Sequence, residues 1–404
     1  MIPRPRSIPT DLAILAVAIS TLAFLVHQNT AQTPAPNATA TTTSQVSAGA
    51  IVTMATSTLP AATTSPAKGS PQKTAPAVKN TPQQSQPIAT SGAPTPPLVT
   101  RIENPYTTPP LAPGDVNITA RAALVNIFCF SNNGSLRPIS GSGTVIDPRG
   151  IILTNAHVAQ YVLLSQSPRF DLKCYVRSGS PAAVHWVPRV LYIPPVWVRA
   201  HVADINADRP LGTGEHDYAL LSVATSVDLP APAGALHAGG QAGGSPLPEF
   251  PSLTPDTREA IAFIDDTVLV ASYPAEFAGA SAAANLYPAS TFTTIQQFLT
   301  FTTGSVDVIS VGSVIQAQSG SSGGAIVNEW GHLVGVITTT SEGTTTAQRE
   351  LRGITLSYID RDLVAQTGTT LSSILAGDVA AKTDDFSTTQ APLLIQQFLK
   401  QLTK

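Results

Sequence analysis

From about residue 114 onward, short apolar runs rich in β-branched side chains alternate with clusters of Gly, Pro, Asn and Asp. Residues 140–158, SGSGTVIDPRGIILTNAHV, are two such runs around Asp147-Pro148-Arg149-Gly150. Asp first, Pro second and Gly fourth are the preferences of a type I turn, so the segment predicts a β-hairpin. Similar runs recur at Tyr218 to Val223, Asp266 to Ser272, Val306 to Val314, Ala325 to Val327 and Leu333 to Thr338, with a second turn at Glu329 to His332. Helical spacing is confined to Ala156–Leu164 and to Leu393–Leu402, where Leu393, Leu394, Ile395, Phe398, Leu399 and Leu402 share a face. Many short strands with few helices predict an all-β fold of barrels or sandwiches. The Gly/Pro-rich stretch from Leu229 to Thr254 reads as a connector between two β units.

The N-terminal part follows another pattern. From Ala31 to Pro110 the chain is mostly Ala, Thr, Pro and Ser, and Glu103 is the first acid after Asp11. Such a stretch cannot bury enough apolar surface to offset the entropy of ordering, so residues 31–113 are expected to form a disordered linker. Arg4 and Arg6 precede an uncharged apolar run, Leu12 to Val26, the layout of an export signal. As a helix this run would be about 22 Å long, short of a hydrocarbon core of about 30 Å, a length that also suits a cleaved signal. The small residues Ala38-Thr39-Ala40 lie well past the run. The reading is therefore an uncleaved membrane anchor over residues 1–30, with the folded part held outside the cytoplasm. A cleaved signal and a secreted product are the alternative.

Composition excludes several classes. A net charge of −3 without a Lys/Arg cluster offers no footprint for nucleic acid. The two cysteines, Cys129 and Cys174, sit in the strand-like runs VNIFCF and LKCYVR. In an exported chain an even pair suggests a disulfide, with two buried thiols as the alternative. No histidine or carboxylate stands at zinc-ligand spacing from them, and none is evident for His185, His201, His237 or His332, so no metal and no cofactor is expected. Asp265 and Asp266, at a strand start, read as a solvated pair.

Gly320-Ser321-Ser322-Gly323-Gly324 carries the candidate chemistry. As G-x-S-x-G it fits the nucleophile elbow of α/β-hydrolases, but that fold needs an acid and then a histidine downstream. Only His332 follows, ten residues on in an apparent turn, with no acid suitably placed between. The order His, Asp, Ser is satisfied instead by His157 in LTNAHVAQ and Asp217 in HDYALLSV. A serine hydroxyl attacks poorly until a neutral imidazole takes its proton, and a buried acid holds that imidazole in one tautomer. His216 adjoins Asp217, but neighbours on a strand face opposite ways, so it is not the base. The glycines around Ser322 let the amides of Gly320 and Ser322 turn inward together.

At these residues the chain resembles the trypsin-like serine proteases of chymotrypsin fold, most closely the HtrA/Deg-like branch, over about Leu124 to Ile359. The resemblance also takes in TVLVASYP, IQAQSGSSGGAIVNEWGHLVGVITT and GITLSYI. It implies two six-stranded antiparallel barrels within a protease domain at 114–375, with the catalytic cleft between them. It makes His157 the general base, Asp217 its orienting acid, Ser322 the nucleophile, and Gly320 with Ser322 the oxyanion hole. It places Gln316 at the base of the substrate pocket and Ile337, Thr338 and Thr339 along a wall. It sets the strands of Cys129 and Cys174 side by side, which implies their disulfide. Ser321 and Ala325 depart from the family's usual Asn or Asp and Pro. The residues after Ile359 are too few for a PDZ domain, and 376–404 reads as a tail with an amphipathic helix. The segment from Ser180 to Thr213 is longer than the family pattern requires. The expected activity is a serine endopeptidase acting on polypeptides, in extracytoplasmic protein quality control. An idle protease-fold binding module and a stalk or adhesion protein are the alternatives.

Overall fold

Strands carry this fold, and several of them are apolar on both faces. The computed structural model describes residues 104–134, 136–206, 213–227, 247–259, 262–276, 285–301, 304–340 and 345–402. The expected N-terminal anchor or signal, nearly all of the linker, most of the 229–254 connector, His237 and residues 207–212 of the insertion lie outside the described residues. No helix among the described residues is long and apolar enough to cross a membrane.

The chain runs through α1 (Pro113–Ala123), β1 (Leu124–Ser131), β2 (Ile139–Asp147), β3 (Ile151–Thr154), α2 (Ala156–Ser165), β4 (Leu172–Ser178), β5 (Ala183–Tyr192), α3 (Pro195–His201), a 3-10 turn (Val202–Asn206) and β6 (Ala219–Ser226). It continues through β7 (Thr267–Ser272), β8 (Ala289–Thr294), β9 (Gln297–Leu299), β10 (Val308–Ser310), β11 (Ala325–Asn328), β12 (Leu333–Thr340) and β13 (Leu351–Thr355). Four helices follow: α4 (Leu356–Thr367), α5 (Leu371–Leu375), α6 (Val379–Thr389) and α7 (Ala391–Leu402).

The first unit is a closed antiparallel barrel in the order β1-β2-β3-β6-β5-β4. Its β2–β3 hairpin turns at Asp147, whose carbonyl accepts from Gly150 N–H at 2.9 Å, while Gly150 takes a φ of 83° that favours glycine. Cys129 and Cys174 face each other across β1 and β4 and are joined by a disulfide.

The second unit is a seven-stranded sheet in the order β8-β7-β11-β12-β13-β10-β9. The expectation of two six-stranded barrels is corrected here, because no ladder closes this sheet. Its edge strands β8 and β9 are nonetheless consecutive, separated only by Ile295 and Gln296. Ile295 still pairs on the β7 side, exchanging hydrogen bonds with Asp265 and Asp266, whereas Gln296 N–H already donates to Ser310 on β10. Two residues thus carry one bent strand from one edge to the other, and the sheet curls into an incomplete barrel.

The double-sided burial follows from two cores meeting at a seam. On β3, Ile152 packs inside the first barrel while Ile151 and Leu153 pack against Leu269, Val327 and Leu333 of the second unit. On β6, Leu221 faces the barrel interior and Leu220 the seam. Successive strand residues alternate sides, so strands wedged between two units must be apolar throughout. This explains why IILT and YALLSV show no polar alternation.

Helix α1 opens with Pro113 in its first turn, where no N–H is needed, and buries Val116, Ala120 and Ala123 on one stripe. The C-terminal tail is more structured than a single amphipathic helix. Phe386 on α6 and Leu394, Ile395 and Phe398 on α7 join the first barrel's core together with Trp197, Val198 and Ile205 of the insertion. Arg189 on β5 pins α6 through Asp384 at 2.6 Å and Ser387 at 2.9 Å.

On the far side of the second sheet, the segment before α1 is strapped to the β11–β12 hairpin. Tyr106 stacks on His332 at 4.3 Å, its hydroxyl donates to Asp256 at 2.6 Å, and Trp330 Nε1 donates to Thr108 O at 2.9 Å. Phe398 is wholly buried, so Phe398→Ala should destabilise the protein by about 3–5 kcal/mol. Chemical denaturation followed by tryptophan fluorescence checks this, since Trp197 sits in the same cluster.

Candidate active site

His157 is the second residue of α2, directly after β3, so its ring stands at the helix entrance. Its backbone N–H donates to Asp217 Oδ1 at 2.9 Å, and its Nδ1 lies 2.7 Å from Asp217 Oδ2. A carboxylate can only accept there, so Nδ1 carries the proton and Nε2 is left with its lone pair. Asn155 Nδ2 donates to the Asp217 carbonyl at 2.8 Å, tying the approach to α2 to the entry of β6.

Asp217 is buried at the mouth of β6. It is presented by a tight turn in which its N–H reaches Gly214 O at 3.1 Å and His216 takes a φ of 57°. Burial by itself would push its pKa up. The His157 charge, the two hydrogen bonds from His157 and one from Thr338 Oγ1 at 2.9 Å outweigh burial and hold it below the usual carboxylate value. For His157 burial works downward, but the charge of Asp217 and its hydrogen bond prevail and raise the imidazole above the ordinary histidine value.

Ser322 lies between β10 and β11 in a loop fastened from several sides. Its carbonyl accepts from Ser142 N–H at 2.7 Å, Ser142 Oγ donates to Gly320 O at 2.7 Å, and Gly323 N–H donates to Ile337 O at 2.8 Å. Buried Ser321 accepts from Ser272 Oγ at 2.9 Å. The Ser319 carbonyl is held by the N–H groups of Ala275 and Glu276 at 2.8 and 3.2 Å. In a trans peptide C=O and N–H point opposite ways, so this fixes the Gly320 N–H away from those residues. Among the described residues, the amides of Gly320 and Ser322 have no protein acceptor.

Separate elements supply the three expected residues, and a direct contact joins two of them. Asp217 and His157 are joined directly. Ser322 is tied in by its backbone: a Cβ on Gly323 would lie 2.0 Å from Ser142 O and 2.3 Å from Thr154 Oγ1, and Thr154 stands three residues before His157. No hydrogen bond joins Ser322 Oγ to His157 in this structure. Catalytic hydrogen bonds are commonly long without substrate.

The expected pocket residues separate. Gln316 is wholly buried and donates from Nε2 to Thr291 Oγ1 at 3.0 Å, with its Oε1 unpartnered among the described residues. Ile337 is buried against Gly324. Thr338 turns its hydroxyl to Asp217, a contact the sequence reading did not assign. It sits where the β12–β13 register slips between Ile337 and Thr339, and such a bulge re-aims a side chain. Thr339 lies on β12 opposite Arg352. His332 and His201 stack on Tyr106 and Trp197, and no cluster of metal-ligating side chains occurs among the described residues.

Residues 141–336, which span His157, Asp217 and Ser322, match the family model of the trypsin-like peptidase domain. Over these residues the chain is similar to trypsin-like peptidase domains. Its closed barrel and incomplete barrel make a chymotrypsin-like fold. Among solved structures, an HtrA-type protease with a tripeptide is similar at a TM-score of 0.40 and 16% identity, covering 64% of this chain and 65% of that one. The chain therefore spans just under two thirds of that structure's length. Deg5 is similar at the same score and identity, covering 64% of this chain and 95% of its own. A search of curated proteins finds no match.

Gly323 is the position least able to accept a side chain. Its φ is 87° and the atoms facing it include backbone, so neither strain nor collision can relax cheaply. Gly323→Ala should destabilise by about 3 kcal/mol or more, measured by thermal unfolding.

Proposed function

We propose that this domain is a serine endopeptidase acting through Ser322, His157 and Asp217. The observation that carries the reading is the pairing of a doubly bonded His157–Asp217 couple with a nucleophile loop that leaves two amides, those of Gly320 and Ser322, without protein partners. In the proposed reaction His157 Nε2 takes the Ser322 proton as Oγ attacks the peptide carbonyl. Asp217 steadies the imidazolium, and the two amides receive the oxyanion. His157 then returns the proton to the leaving amine, and water repeats the sequence to release the acyl group.

Substrates are polypeptides in this reading, and Gln316 sets the character of the primary pocket. An uncharged amide has no means of pairing with Arg or Lys, so cleavage is expected after small or medium aliphatic residues such as Val, Ala, Thr or Leu. The apolar run Leu12 to Val26 behind Arg4 and Arg6, with the Cys129–Cys174 disulfide, supports export and work outside the cytoplasm. Protein quality control by an HtrA/Deg-like enzyme fits that placement.

Labelling by a serine-directed fluorophosphonate tests the reading. The wild type should label and Ser322→Ala should not, while Ser319→Ala and Ser321→Ala retain labelling. Persistence of the label in Ser322→Ala would move the nucleophile elsewhere, and an unlabelled wild type would favour an idle binding module. Ser322→Ala and His157→Ala should each lower kcat by several orders of magnitude, and the double variant by little more, because the groups act as a unit. A cleavage-site survey on a denatured protein mixture checks specificity, and a dominant preference for Arg or Lys would overturn that part.

The pH profile supplies an independent test. The base must be neutral, and the Asp217 charge raises the His157 pKa, so kcat/KM should climb with pH around a midpoint above 6.5. In Asp217→Asn that charge is gone and burial, which lowers the pKa, remains. The residual activity should titrate at a lower midpoint than the wild type.

A further inference from the structure

The residues on either side of Asp217 share one partner. His216 Nδ1 lies 2.9 Å from Asp362 Oδ1, and Tyr218 Oη donates to Asp362 Oδ2 at 2.8 Å. These two bonds put the side chains on either side of Asp217 against the same carboxylate, while Asp217 itself turns to His157. Asp362 is buried on α4, which follows the last strand of the second sheet, whereas His216 and Tyr218 lead into β6 of the first barrel.

The bracket is reinforced one helical turn to each side. Tyr358 Oη accepts the His216 backbone N–H at 2.9 Å, and Gln366 Nε2 donates to Asp362 Oδ2. His216 is held at a positive φ, uncommon for a residue with a side chain, and both of its bonds to α4 hold it there. A buried carboxylate in an apolar seam is a poor means of adding stability, since well-packed hydrophobic groups do as well or better. What the carboxylate adds is direction: two donors from flanking residues converge on it and leave the residue between them one orientation.

We propose that Asp362 is a positioning residue for the catalytic acid, clamping His216 and Tyr218 so that Asp217 stays aligned with His157. This rests on the serine peptidase reading. Asp362 touches no reacting atom; its effect passes only through the backbone of residues 216–218.

The test compares four full-length proteins: wild type, Asp362→Ala, Asp217→Ala and the double variant, by fluorophosphonate labelling rate and by kcat and KM on a peptide ester. Asp362→Ala should lower kcat and the labelling rate by about tenfold to a hundredfold, the scale of a small misplacement at a catalytic group, with KM changed by less than about twofold. In the Asp217→Ala background the same change should have no further effect, because the bracket has nothing left to align. An equal loss in both backgrounds would make Asp362 a general stabiliser and overturn the proposal, as would an unchanged kcat. Should Asp362→Ala not fold, His216→Asn combined with Tyr218→Phe keeps the carboxylate, places a residue tolerant of positive φ at 216, and carries the same expectations. A wild type that neither hydrolyses nor labels would remove the peptidase reading itself, and this proposal with it.

Discussion

Asp217 is a charge taken out of water, and much of the structure around it exists to make that tolerable. An unpaired buried carboxylate would take up a proton. Here it receives the His157 ring, the His157 amide and the Thr338 hydroxyl, supplied by α2 and β12. The amide is one of the free N–H groups at the start of α2, where a helix favours an anion. Remove either barrel and the carboxylate loses partners, so this one charge ties the two units together.

The seam between the units is the second constraint. β3 and β6 are buried on both sides because each serves the first barrel's interior and the junction. His157 follows one of these strands and Asp217 precedes the other. Their rigidity therefore comes from strands that cannot tilt without disturbing two cores at once. The second unit needs less regularity. Its sheet curls through the bend at Ile295–Gln296, and the loop that carries Ser322 is steadied by contacts from Ser142, Ser272 and Ile337, not by ladder closure.

Short-range patterns were the most legible part of the chain. The Asp147–Gly150 turn, the strand runs and the order of His157, Asp217 and Ser322 are all written locally, in residue types whose geometry is their own. What escaped the sequence depends on distant partners. The insertion after Ser180 had no explanation and the apolar face of Leu393–Leu402 had no partner, because each covers the other: Trp197 and Phe398 belong to one cluster, and an apolar face does not name what it packs against. Thr338 was placed on a pocket wall by the family resemblance, and the bulge that turns its hydroxyl to Asp217 cannot be read from VGVITT. His216 was read as a strand residue, whereas it sits in a turn and pairs with Asp362, a helix residue far along the chain. The incomplete second barrel was obscured because a two-residue bend leaves no punctuation such as Gly or Pro.

The strap at Tyr106 has a mechanical consequence. Because its ring lies flat on His332 and its hydroxyl reaches Asp256, with Trp330 holding the Thr108 carbonyl, the chain leaves the domain from a fixed point on the β11–β12 hairpin. A pull on the chain ahead of residue 104 would load this clasp first, sliding stacked rings past one another, before it reached α1 or the first strand. Tension would enter the second sheet at the end of the hairpin away from Thr338, and so away from Asp217, which Thr338 contacts.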